Sequence, residues 1–207
     1  MKTEALIEQL TRQDEQLQIH PPQVGKLLMV GMLVSLLACV LAFGVHPAWT
    51  QWLSTSAYWL KFAFGAGSML LALGLLHASV KPGKPLPYAP LWLSLPAVLA
   101  LTGFVFTPST AWADQVFAPL WQACAPSILL LAVPIWLALL EYVKGQAPTN
   151  LRLAGMLMGA ASGGAAAAIY TLHCDEFSSL YIGVWYTAGI ALCAALSAAV
   201  APRFLRW

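Results

Sequence analysis

The sequence predicts an all-α, polytopic membrane protein with six transmembrane helices and both termini in the cytoplasm. Two observations carry that prediction. The apolar residues come in runs of roughly 20, the length an α-helix needs to cross a bilayer. The lysines and arginines are confined, with one exception, to alternate loops. Of 207 residues, 60% are hydrophobic and 9% charged, where a soluble domain carries about 25% charged residues. The net charge of +2 is too small to suggest nucleic acid, and the basic residues lie between helices.

Residues 1–22 read as a cytoplasmic amphipathic tail. Leu6, Leu10 and Leu17 share one face at helical spacing, and Pro21-Pro22 ends the pattern. The tail carries Glu4, Glu8, Asp14 and Glu15 against Lys2 and Arg12, so it is not a cleavable signal peptide. That acidity is unusual for a helix lying on lipid headgroups. Docking into a partner's groove has equal standing as a reading.

Residues 23–207 form the membrane domain, with spans at about 25–45, 57–80, 88–107, 118–140, 151–172 and 179–200. The run Lys81-Pro82-Gly83-Lys84-Pro85 breaks the chain after the second span. Proline inside the third and fourth spans is tolerated where neighbours re-satisfy the backbone. Lys26, Lys81, Lys84, Lys144, Arg152, Arg203 and Arg206 all fall on one side, which the charge bias makes cytoplasmic. Lys61, at the start of the second span, is the exception. The expected location is the bacterial inner (cytoplasmic) membrane.

The densest chemistry is Leu172-His173-Cys174-Asp175-Glu176, followed by Trp185-Tyr186. The orientation places this turn on the periplasmic side, where thiols can be oxidised. Cys124 lies 17 residues before Glu141 and Cys174 lies 22 beyond Arg152, which puts them roughly 26 and 33 Å above the cytoplasmic ends of their helices. The depth difference of about 7 Å is near the Cα separation a disulfide requires. Cys39 and Cys193 sit at mid-membrane depth and read as packing thiols. Lys61 reads as a snorkelling side chain, with a salt bridge to Asp114, Asp175 or Glu176 as the sharper option.

Three readings of the turn compete: a polar loop with an incidental cysteine, a redox switch of Cys174 with Cys124, and a metal site using Cys174 and His173 with Asp175 or Glu176. No nucleophile–base–orienter set or cofactor motif appears, so an enzyme is not expected. No Asp, Glu, Lys or Arg lies at mid-membrane depth, which weighs against a small metal or solute transporter or channel, the alternative function class. The stripe Gly155, Gly159, Gly163 and Gly164 with Ala165 to Ala168 marks the fifth span for close helix packing.

These residues resemble the NrsF-type membrane anti-sigma factors. The resemblance rests on Leu172-His173-Cys174 with Glu176, Ser178 and Trp185-Tyr186. It continues in Met1-Lys2-Thr3-Glu4 with Leu6-Ile7, in Trp59-Leu60-Lys61, in Lys81-Pro82-Gly83, and in Cys124, Pro134 and Ala147-Pro148-Thr149. It spans nearly the whole chain in order. Where the family often has proline after the loop cysteine, this chain has Asp175. The resemblance implies a partner, an extracytoplasmic-function sigma factor, held inactive at the membrane. It implies release on metal or oxidative stress sensed at Cys124 and Cys174, with His173 beside them and Asp175, Glu176 and Lys61 in support. Leu6, Ile7 and Leu10 become the anchors for the partner. No cofactor is expected beyond a regulatory metal ion, for which Cys174 and His173 are the candidate ligands.

Overall fold

The computed structural model describes residues 21–80, 105, 108–119, 121–146, 148 and 150–205. These residues are helices and connecting turns, with no strand among them. In chain order they form α1 (Pro21–Ala42), α2 (Trp49–Trp52), α3 (Ser56–Ser79), a 3-10 turn (Ser109–Ala111), α4 (Trp112–Val116) and α5 (Trp121–Lys144). Then follow α6 (Leu151–Tyr170), α7 (Ser179–Tyr181), a π-helical turn (Ile182–Tyr186) and α8 (Thr187–Leu205). Five segments are long and apolar enough to cross a membrane: Gly25–Ala42, Ser56–Ser79, Trp112–Lys144, Leu151–Tyr170 and Ser179–Leu205. Residues 1–20, with the anchors Leu6, Ile7 and Leu10, lie outside the described residues, as does all of the expected 88–107 span except residue 105.

Local chemistry explains where the helices start and stop. The Pro21-Pro22 pair that breaks a preceding pattern opens α1, since proline suits a first turn whose N–H groups have no helical partner. Asn150 caps α6 by accepting from Leu153 N at 3.0 Å. In α5, Pro134 cannot donate to the Leu130 carbonyl. One residue on, Ser35 of α1 donates to the Leu131 carbonyl at 2.8 Å and ties the two helices together there.

The bundle is built around α6. Of its 20 residues 16 are buried, against 17% of the 18-residue α1 segment Gly25–Ala42. Lipid tails are as apolar as leucine, so helices in a membrane associate by close packing rather than by hydrophobic burial. The small-residue stripe provides it. Gly164 of α6 and Gly65 of α3 bring the two backbones together: a Cβ on Gly164 would lie 2.6 Å from Met69 N, and one on Gly65 would lie 2.6 Å from Ala168 N. On the other side, Gly155, Gly159 and Gly163 meet Ser197, Ala201 and Cys193 of α8.

Polar groups add direction to this packing. Ser197 Oγ donates to the Gly155 carbonyl at 2.5 Å and accepts from Trp136 Nε1 at 2.6 Å, joining α5, α6 and α8. Ser197→Ala should therefore lower stability by about 0.5–2 kcal/mol, read as an earlier midpoint in detergent-driven unfolding of the full chain.

The charges sort to opposite ends. Lys26, Lys144, Arg152 and Arg203 stand at the end where α1 and α6 begin and α3, α5 and α8 finish. Lys144 pairs there with Glu141 at 2.8 Å, and His77 Nδ1 meets the Tyr142 hydroxyl at 3.1 Å. At the opposite end, Lys61 is the one described lysine or arginine, at the same end as Asp114, Asp175 and Glu176.

Candidate functional site

Three short connections close the end opposite the basic residues: 43–55, 108–119 and 171–178. They interlock. His46 N donates to the Leu172 carbonyl at 3.1 Å. Ser178 Oγ donates to Gln115 Oε1 at 2.6 Å, and Trp185 Nε1 to the Val116 carbonyl at 2.7 Å. The 171–178 segment, which carries the cysteine turn, is thus held from both sides.

Its centre is Lys61. The side chain is completely buried, 0% exposed. Its ammonium donates to the main-chain carbonyls of Cys174 and Glu176, both at 2.8 Å. It also lies 5.0 Å from the ring centroids of Phe177 and Tyr186. The expected snorkelling is therefore replaced by burial, and the expected carboxylate partners by carbonyl oxygens. The reason is geometric. Lys61 is one turn and a half into α3 and faces the end of α6, where the turn after Tyr170 leaves carbonyls with no helical donor.

The energies make this a fixed arrangement. An isolated buried ion costs several kcal/mol after relaxation. Two hydrogen bonds from a charged donor return about 1.5–3 kcal/mol each, and a desolvated cation–π contact about 2 kcal/mol. These terms are of similar size, so Lys61 stays inside only while the loop stays in place.

The thiols converge on the same spot. Cys124, at the start of α5, is 0% exposed, and Cys174 is 8% exposed. The two interact electrostatically with each other and with Lys61. All four cysteines are free thiols. Tyr170, Tyr181 and Tyr186 wall the site and are buried. The Tyr186 hydroxyl faces Cys174 yet makes no hydrogen bond within bonding distance. Cys193 lies elsewhere, against Gly163 of α6, whereas Cys39 borders the site, at 4.0 Å from the Ile169 carbonyl and beside Tyr170.

The other candidate residues are placed as follows. His173 packs against the rings of Phe43 and Tyr170, with centroids 5.5 and 5.7 Å away. Asp175 is exposed and Glu176 partly so. Burial, and next the neighbouring Asp175 carboxylate, push the Glu176 carboxyl above its ordinary range, against the pull of Lys61. Among the described residues no three of His, Cys, Asp and Glu are grouped to hold a metal ion. Chemically the site is a pair of reduced thiols beside a buried cation. Both thiols are shielded from solvent while the loop is in place, and thiol chemistry there requires access that this arrangement closes.

Sequence reasoning singled out Trp185-Tyr186 without giving Tyr186 a contact, and missed Phe177 and Gln115 as parts of the site. One signal was present: Lys61 stands alone on a side otherwise empty of basic residues. Trp185-Tyr186 falls in a π-helical turn, a distortion frequent at functional sites that periodicity does not reveal.

Residues 11–207 match the family described as NrsF, negative regulator of sigma F. Among curated relatives, a probable anti-sigma-F factor NrsF of Azospira oryzae is 34% identical over 159 residues, which is 72% of each chain. An anti-sigma-F factor NrsF of Caulobacter vibrioides is 37% identical over 87 residues, covering 42% of this chain and 41% of its own. No solved structure matches.

Proposed function

Because the chain belongs to the NrsF family of negative regulators of sigma F, we propose that it is a membrane-bound anti-sigma factor that holds an extracytoplasmic-function sigma factor inactive and releases it under metal or oxidative stress. The observation that carries this reading is the family match across 11–207. The family's role is regulatory rather than catalytic.

The two-ended distribution of charge and thiol supports the rest of the proposal. The end with Lys26, Lys144, Arg152 and Arg203 faces the cytoplasm of a bacterial inner membrane by the basic-residue rule. Both termini lie there, and the tail meets the partner through Leu6, Ile7 and Leu10. The thiol end faces the periplasm, where Cys124 and Cys174 receive the signal. Oxidation joins their two sulfurs and passes two electrons and two protons to the oxidant. Capture of a thiophilic metal ion draws on the same two sulfurs, with His173 reorienting to join them. Either event must shift a two-state packing whose states differ in affinity for the partner.

Co-purification from native membranes tests the assignment: a sigma factor should come down with the full chain. Deleting residues 2–20 should lower its recovery by about tenfold or more while the protein still inserts. Undiminished recovery would remove the tail from the docking site and move that role to the basic turns.

A further inference from the structure

We propose that Lys61 is a positioning residue that latches the Cys174 loop to α3, so that displacement of this loop frees the ammonium and lets α3 shift against α6. The proposal deepens the function above and rests on it only for its output, the release of the partner.

Four observations carry it. First, the acceptors of the Lys61 ammonium are the main-chain oxygens of Cys174 and Glu176. One of them belongs to the residue whose thiol is the candidate sensor, so any movement of residue 174 takes away a hydrogen bond. Second, the ring contacts of the ammonium are also made by this part of the chain: the ring of Phe177 in the loop and that of Tyr186 in the π-helical turn. Both carbonyl acceptors and the Phe177 ring therefore move with the loop. Third, Phe177 packs edge-on against Trp52 at 5.1 Å, and Trp52 stacks on His46 at 4.4 Å. Movement of the loop therefore also reaches the connection between α1 and α3. Fourth, Gly65 lies one helical turn below Lys61 and meets α6 at Gly164 and Ala168 backbone to backbone. A packed contact of that kind transmits displacement rather than absorbing it.

The open state has a natural resting place for the ammonium. Lys61 is five residues past Ser56, the first residue of α3, so its Cα is roughly 7 Å below the helix end. A lysine stem can snorkel across that distance to the interface. Latched, the ammonium is solvated by carbonyls and rings; open, it is solvated by headgroups and water. These are the two discrete arrangements a switch requires.

The test uses the full chain in nanodiscs and reads, by mass spectrometry, the rate at which a maleimide labels Cys174 relative to Cys193. Cys193 lies in α8, away from the loop, and serves as the internal reference. In Lys61→Met the Cys174 to Cys193 ratio should rise about tenfold or more, since even one lost charge-assisted hydrogen bond shifts a local opening equilibrium that far. Phe177→Leu keeps the lysine and removes one ring face, so it should raise the ratio by a smaller factor. A ratio unchanged in both variants, including a case where both cysteines speed up together, overturns the latch. Where Lys61→Met does not insert, the Phe177→Leu ratio decides alone. Sigma-factor retention is measured on the same samples. A raised ratio with the partner lost supports the latch and its output. A raised ratio with the partner still held leaves the latch standing and overturns the release mechanism of the proposed function.

Discussion

With Cys124 and Cys174 both replaced by serine, the protein should keep its sigma factor bound through metal or oxidative stress. Release that follows stress in the parent should fall by about tenfold or more, measured with a promoter reporter for the partner. The expectation follows from geometry. Both thiols are buried beside one ammonium, and serine keeps the volume of each while removing the sulfur chemistry. A single Cys193→Ser variant is the control. That thiol packs against Gly163 away from the loop, and its replacement should leave release intact. Normal release from the double variant would show that the signal enters elsewhere.

Gly65→Ala should be costly and Gly67→Ala harmless, although the two glycines are two residues apart in α3. A methyl group on Gly65 would stand 2.6 Å from Ala168 N and 2.9 Å from the Gly164 carbonyl. Both are backbone atoms of α6, and a backbone in the middle of the bundle cannot yield as a side-chain tip does. The helices must separate, at a cost of about 1–3 kcal/mol. A methyl group on Gly67 meets nothing within 4 Å, and alanine is the better helix former by up to about 1 kcal/mol. Detergent-driven unfolding of the full chain should show an earlier midpoint for the first variant and the same or a later one for the second. Equal behaviour would mean that α3 and α6 do not pack through Gly65. The result bears on function too, because this contact lies on the proposed route from Lys61 to the rest of the bundle.

Much of the fold was legible in the sequence because bilayers impose a simple length rule. Runs of about 20 apolar residues read directly as helices, and the described residues are all-helical with five segments long and apolar enough to cross a membrane. The small residues of α6 announced tight packing in the same way, since a membrane offers few other means of holding helices together. Helix ends were less legible. The 49–52 and 112–116 stretches were expected as loop and form short helices, and α5 continues to Lys144 past its apolar run. There the Glu141–Lys144 pair, at i and i+3, extends the helix into its polar end.

The candidate site divides in the same way. Composition alone pointed to the turn around Cys174, because it gathers the chain's reactive residue types, and helical rise alone placed Cys124 at a comparable depth. Both are consequences of one-dimensional spacing. The state of Lys61 is not. Whether a lysine near a helix end snorkels or turns inward depends on what faces it across the bundle, and the facing groups are the Cys174 and Glu176 carbonyls, 113 and 115 residues away in sequence. Main-chain oxygens carry no residue identity, so no sequence motif can mark them as partners. The packing of His173 against Phe43 and Tyr170 was hidden for a related reason, since it follows from how α1 closes on the end of α6. The order of hydrophobic and basic segments thus determined the helical membrane architecture and the end at which its reactive residues lie. Only the packing of α3 against α6 decided that a single buried cation holds those residues together.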